Sequence, residues 1–174
     1  PMSSVRQLSA IMFTDIVGYT AMMGADEKLA ISMLNINRQI QRPVIEGFGG
    51  RWIKELGDGV MAIFPTVSDA IEASLVIQDK CKEEKKFQLR IGVHHGEIIV
   101  EEGDIFGDAV NIAARVQSIA PPGAIYITES VRQVIQNNKD FAMTFSQEAN
   151  LKNVREPLRL FEVEWAEMAE KRSS

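Results

Sequence analysis

Two aspartates stand where a carboxylate is costly unless something answers it. Asp15 closes the apolar run Ile11-Met12-Phe13, and Asp58 lies between Gly57 and Gly59. Two hard oxygen donors held close together suit Mg²⁺ or Mn²⁺, which take few protein ligands and complete their shells with substrate phosphates and water. Two such ions about 3.5–4 Å apart stabilise both the attacking and the leaving oxygen of an in-line displacement at phosphorus. The backbone amides of Ile16, Val17, Gly18, Tyr19 and Thr20 follow Asp15 at an expected helix start, where a polyphosphate is favoured. Gly18 would let that group approach the chain closely. Each aspartate also has a plainer use, Asp15 as a helix cap and Asp58 as a turn residue. Their pairing on adjacent strands favours the metal.

A second set lies in "GDIFGDAVNIAAR", Gly103 to Arg115. Asn111 and Arg115 are four residues apart and share a helix face. An amide and a fixed guanidinium fork suit a ribose and a phosphate. The same spacing also describes a solvated arginine beside an asparagine bonded to backbone.

These groups need elements to hold them. A strand over about Leu8 to Phe13 leads to Asp15. The stripe Leu29, Met33, Ile36, Ile40 and Val44 predicts a long helix. Pro43 is expected to kink or end it, and Gly47, Gly49 and Gly50 to terminate it. "RWIKEL" and "VMAIF", joined through Gly57-Asp58-Gly59, read as a hairpin on the Asp-Gly signal. Thr66 or Ser68 caps a second helix with the stripe Ala70, Ala73, Ile77 and Cys81. "FQLRIGVHHG" and "EIIVEE" read as two strands. A third helix runs from near Gly107 to before Pro121. "AIYIT", "ESVRQVIQ" and "LRLFEVEW" follow as strand, helix and strand. The fold class is α+β: a ferredoxin-like βαββαβ core with extra C-terminal β/α elements, an antiparallel-dominated sheet and helices on one face. A doubly wound Rossmann sheet is disfavoured, because no Gly-x-Gly-x-x-Gly follows the first strand.

Composition bounds the rest. The 174 residues, 45% hydrophobic and 25% charged, suit one compact domain over 8–165. Residues 1–7 read as a linker or tag remnant, and 166–174 as a polar tail that frays. A net charge of −5 argues against nucleic acid or an acidic membrane surface as partner. No apolar run is long enough to span a bilayer and no signal peptide is evident, so the expected location is cytoplasmic. Cys81 is the single cysteine, which excludes an intrachain disulfide. His94 and His95, adjacent on a strand, face opposite ways and make a poor shared metal site. Trp52 and Trp165 read as packing residues.

"FTDIVGYT", "KELGDG", "GDIFGDAVNIAAR" and "LKNVREPLRLFEV", in this order, closely resemble class III nucleotidyl cyclases. The resemblance runs from about Leu8 to Val163 and implies an adenylyl cyclase catalytic domain. It implies that Asp15 and Asp58 bind two Mg²⁺ or Mn²⁺ ions per site. It gives Lys54 and Asp104 the recognition of the purine, Asn111 the ribose and Arg115 the charge on the transferring phosphate. Lys152 matches the lysine on the terminal phosphates, with Arg155 as a second candidate. Lys54 with Asp104 is the adenine-type pair, since an amine donor and a carboxylate acceptor meet adenine N1 and its 6-amino group. Guanine would face the wrong partners, at about 1–3 kcal/mol for each mispaired buried group. Glu55, next to Lys54, should point away from the pocket.

The family builds its sites between two catalytic domains, one giving the aspartates and the other the remaining residues. This chain carries both sets, so the resemblance implies a homodimer with two composite sites, ATP as substrate and fusion to a regulatory module. Ile105 and Phe106 either pack that dimer or belong to the local core. The alternatives are a guanylyl cyclase and a catalytically silent dimerisation or nucleotide-sensing module. A diguanylate cyclase is disfavoured because its Gly-Gly-Asp/Glu-Glu-Phe signature is absent.

Overall fold

The computed structural model describes residues 4–152 and 154–173. Part of the 1–7 linker reading, and Asn153 and Ser174, therefore lie outside the described residues. The chain forms β1 (Val5–Ile16), α1 (Tyr19–Ala25), α2 (Glu27–Gly47), β2 (Arg51–Leu56), β3 (Gly59–Phe64), α3 (Val67–Glu84) and β4 (Leu89–Glu101). Then follow β5 (Asp104–Phe106), α4 (Asp108–Ile119), β6 (Ile125–Thr128), α5 (Glu129–Ile135), β7 (Phe141–Ala149), β8 (Leu158–Trp165) and α6 (Ala166–Ser173).

One sheet runs β2-β3-β1-β4-β6-β8-β7, with β5 paired to β4. Its first four strands have the expected ferredoxin-like order, and β4–β6 is the parallel pair in an otherwise antiparallel sheet. Helices cover both faces, not one. Alternation along β1 explains this. Ala10, Met12 and Ile16 join the core under α2, α3 and α5, whereas Ile11 and Phe13 pack with Ala109 and Ala113 of α4. Asp15 shares the α4 face by the same alternation.

Several elements depart from the sequence reading. Val5, Arg6 and Gln7 pair with β4 through Val100, Ile99 and Ile98, so they are strand and not linker. Residues Ala166–Ser173 form α6 in place of a frayed tail. The long helix is split at Asp26, whose side chain caps α2 by accepting from Leu29 N–H. Its buried stripe is Ala30, Met33, Asn37, Gln41, Val44 and Ile45, while Leu29 is 44% exposed. Apolar spacing missed it because Asn37 and Gln41 are buried polar residues, bonded to each other, with Gln41 also bonded to Thr14 of β1. Pro43 does not end the helix, since burial of Val44 and Ile45 beyond it outweighs the missing N–H. "FQLRIGVHHG" and "EIIVEE" form one strand. Gly96 makes no turn, because a Cβ there would lie 2.8 Å from the Ala109 Cβ; it admits α4 close to the sheet.

Candidate active site

The hairpin between β2 and β3 places Asp58 beside the end of β1. Its loop residues are Gly57 and Asp58, and Gly57 has φ +64, the first-position requirement of a II′ turn. The dipeptide that makes the turn is thus Gly-Asp, one place earlier than the Asp-Gly signal. Asp58 Oδ2 accepts from Ile16 N–H at 2.8 Å, which ties the turn to the residue after Asp15. Asp15 Oδ1 is buried and accepts no hydrogen bond. Burial pushes the Asp15 carboxyl above its ordinary range, the Gln117 side chain opposes that, and the neighbouring Asp58 charge adds to it.

Arg90 is the residue that sequence reasoning missed. It lies directly across from Asp15 in the β1–β4 register, and its Nη1 stands 3.7 Å from Asp15 Oδ1. A signal existed in "LRIGVHHG": alternation puts Arg90, Gly92, His94 and Gly96 on one face. The two glycines on that face mark the path of α4 over the strand, and the arginine sits at its end.

The predicted phosphate-binding amides divide. Ile16 N–H is taken by Asp58, and Val17 N–H donates to the Gln88 carbonyl at 2.9 Å. Both are therefore engaged, contrary to the expectation of a free run from Ile16 to Thr20. Gly18 (φ +74) is the N-cap of α1, and Tyr19 and Thr20 open its first turn. The carbonyl of Gly18 receives Met22 N–H.

Lys54 and Asp104, fifty residues apart in sequence, meet across β2 and β5. Lys54 Nζ donates to Asp104 Oδ2 at 2.8 Å. A β-bulge between Trp52 and Lys54 resets the strand's alternation just before this contact. Glu55 turns away to Arg38 on α2 at 2.7 Å, as expected. Asp104 Oδ1 accepts from Ile105 N–H at 2.7 Å. The Lys54 hydrogen bond, and then this backbone bond, hold the Asp104 carboxyl below its usual range.

Asn111 and Arg115 are exposed on α4 and line a cavity of about 750 Å³ with Asp108, Leu151, Lys152 and Arg155. Among the described residues, Arg115, Lys152 and Arg155 have no acidic partner. Three cations without an acidic partner, against the single carboxylate of Asp108, give this opening a net positive lining of the kind that suits a polyanion. Neither aspartate nor the Lys54–Asp104 pair lines this cavity. Ile105 is 4% exposed and belongs to the core, while Phe106 is 49% exposed, so the two halves of that dipeptide part company.

The residues set aside earlier behave as packing. His94 is buried and bonded through Nδ1 to Thr128 Oγ1 at 2.7 Å, and burial lowers its pKa to about 4. Burial raises the Cys81 thiol to about 12. Trp52 lies under the Arg42 guanidinium, and Trp165 donates to Asp79. Among the described residues no three His, Cys, Asp or Glu side chains gather as a metal site. A cation at Asp15 and Asp58 would thus draw its other ligands from backbone, water or substrate, the pattern of Mg²⁺. The unbonded Asp15 Oδ1 fits that use.

A family model described as the adenylate and guanylate cyclase catalytic domain matches residues 3–164. A pH-sensitive adenylate cyclase of Mycobacterium tuberculosis is 31% identical over 94% of this chain and 42% of its own length. A Rhizobium meliloti protein, provisionally named adenylate cyclase 3, is 32% identical over 90% of this chain and 28% of its own. The chain thus spans less than half the length of these curated relatives. A crystal structure from Silicibacter pomeroyi, described as an adenylate/guanylate cyclase/hydrolase, superposes with a TM-score of 0.86 at 34% identity. That match covers 94% of this chain and 98% of the other.

Proposed function

The chain belongs to the family of adenylate and guanylate cyclase catalytic domains, and from that premise we propose that it cyclises ATP to 3′,5′-cyclic AMP and pyrophosphate. The observation that carries the choice of ATP is the Lys54 Nζ–Asp104 Oδ2 contact. It holds a cationic donor and a carboxylate acceptor side by side, the complement of adenine N1 and its 6-amino group. A GTP ring in the same place would leave donor against donor and acceptor against acceptor.

The ribose 3′-hydroxyl gives its proton to solvent, its oxygen forms a bond to the α-phosphorus as the bond from that phosphorus to the bridging oxygen breaks, and pyrophosphate carries away the electron pair. Asn111 orients the ribose. Arg115 neutralises charge growing on the α-phosphate, where a fixed guanidinium strengthens as the reaction proceeds. Lys152 and Arg155, on the loop facing α4, hold the terminal phosphates, with Lys152 the main contact. Gly18, Tyr19 and Thr20 at the start of α1 offer backbone donors, and Arg90 offsets the negative charge around Asp15. Bound at Asp15 and Asp58, two Mg²⁺ or Mn²⁺ ions would supply acidity for the ribose hydroxyl and charge neutralisation for the triphosphate.

The working unit is a homodimer with two composite sites. Two facts support this. The α4 cavity excludes Asp15 and Asp58 within one protomer, and Leu8 and Phe106 expose apolar surface at 63% and 49%. The greater length of the relatives supports regulatory segments outside this chain. No helix among the described residues is long and apolar enough to cross a membrane.

The test incubates the protein with Mn²⁺ and equal ATP and GTP and separates the products by chromatography, with Asp58→Ala alongside. Cyclic AMP from the unmodified protein alone is expected. Cyclic GMP would overturn the base assignment, and equal turnover by the variant would overturn the metal assignment. No product from a sedimenting dimer would favour a silent module. Asp15→Ala mixed with Arg115→Ala should regain one working site per mixed dimer; a confirmed mixed dimer without activity contradicts shared sites.

A further inference from the structure

Two buried polar atoms carry no hydrogen bond where β1 ends beside α4: Asp15 Oδ1 on the strand and Gln117 Nε2 on the helix. One can only accept while ionised and the other can only donate. Gln117 is 7% exposed, so water does not readily supply the missing partner. Its starting point is fixed as well. A Cβ built on Gly92 would come within 2.4 Å of Gln117 N and 2.6 Å of Gln117 Cα, so α4 rests on β4 at this residue. Gly92 is two places along β4 from Arg90, which pairs with Asp15 in register. The Arg90 guanidinium, 3.7 Å from Asp15 Oδ1, is too far for a hydrogen bond and leaves that oxygen open. The amide is near enough to favour the ionised carboxyl. A third buried unbonded group, Asn37 Nδ2, belongs to the Thr14–Gln41 network on the opposite face of β1 and does not compete.

We propose that Gln117 is a positioning residue for Asp15: its side-chain amide donates to Asp15 Oδ1 and orients the carboxylate for the cation. The inference rests on the reading of Asp15 as a metal ligand. Helix α4 then acts at both ends of the chemistry. Its outer face presents Asn111 and Arg115 to the phosphate cavity, and its inner face holds the metal-binding carboxylate through Gln117. A movement of α4 that shifts Arg115 also shifts Asp15. In a dimer with composite sites those two residues serve opposite sites, so the helix links them.

Gln117→Met keeps the length of the side chain and removes the donor. Mn²⁺ binding is read by electron paramagnetic resonance with 3′-deoxy-ATP, which lacks the attacking hydroxyl, so the readout is independent of turnover. The expected result is binding about ten- to a hundredfold weaker than in the unmodified protein, the size of one lost hydrogen bond to a charged metal ligand. A second measurement needs no metal: melting temperatures of the unmodified protein, Asp15→Ala, Gln117→Met and the double variant. The shifts should be non-additive, because Gln117→Met strands a carboxylate oxygen only where Asp15 is present. Mn²⁺ affinity within twofold of the unmodified protein overturns the proposal, and so do additive melting shifts. Should Gln117→Met fail to fold, Gln117→Asn, which shortens the reach of the amide, gives the same comparison. No Mn²⁺ binding by the unmodified protein would sink the metal reading of Asp15, while the melting cycle would still decide whether the amide holds the carboxylate.

Discussion

The two ends of the candidate site are built on different principles. At the aspartate end the sheet does the positioning. Asp15 closes a strand paired on both sides, and Asp58 sits on a two-residue turn bonded back to Ile16. Its cation, Arg90, comes from the neighbouring strand in direct register. At the α4 end Asn111 and Arg115 project from the outside of a helix, and Lys152 and Arg155 come from the connection between β7 and β8. That end has an open cavity and cations without partners. The aspartate end is thus preorganised by backbone hydrogen bonds, whereas the α4 end holds cationic charge without an acidic partner. Preorganised groups should govern turnover, and groups on a loop should govern affinity.

The largest break in this comparison is Asp58→Asn. The amide keeps an oxygen for Ile16 N–H and removes the charge, so the fold should survive. Turnover should fall about 10³-fold or more, roughly 4 kcal/mol of barrier. Circular dichroism with a cyclic AMP assay checks both halves, and retained turnover would place the metal elsewhere. Arg115→Ala comes next, with kcat lower by about 10²-fold and little change in KM, the signature of a contact made in the transition state. A change confined to KM would move Arg115 into ground-state binding. Lys152→Ala should do the reverse, raising KM for ATP about three- to tenfold with kcat nearly kept. If Arg155→Ala has the larger effect, the two cations exchange roles.

The smallest effect concerns the scaffold under both ends. His94 is buried neutral, with its pKa lowered from 6.5 to about 4. A group that resists protonation in the folded state stabilises the protein above its unfolded pKa. That stability is lost as pH falls from about 6.5 through 4, and the full span is on the order of 3 kcal/mol. Urea midpoints measured from pH 7 to pH 4 should therefore fall less steeply in His94→Gln than in the unmodified protein. Equal slopes would show that His94 does not titrate in that window.

Much of the site was legible as residue type and spacing. Asn111 and Arg115 fall on one face because four residues make about one helical turn. Glu55 leaves the pocket because strand neighbours face opposite ways. The reading failed where local pattern and tertiary use diverge. Asn37 and Gln41 look like surface residues in a hydrophobic count, yet they are buried, because Thr14 gives Gln41 a polar partner and Gln41 in turn donates to Asn37. Gly96 looks like a turn, yet it lies inside β4, because α4 needs the space of a missing Cβ.

The sequence by itself determined the first strand, the hairpin that carries Asp58, the helices on either side of that hairpin and the identity of the charged groups, but not β5, β7 or α6. Those follow from periodicity, from glycine's access to positive φ and from side-chain chemistry, all of which are local. Only the tertiary structure decided which groups meet. The β1–β4 register set Arg90 against Asp15, the short strand β5 brought Asp104 to Lys54, and close packing set Gln117 of α4 on Gly92 of β4. Each of these depends on strand pairing and helix approach between distant residues, and no run of neighbouring residues encodes such distances.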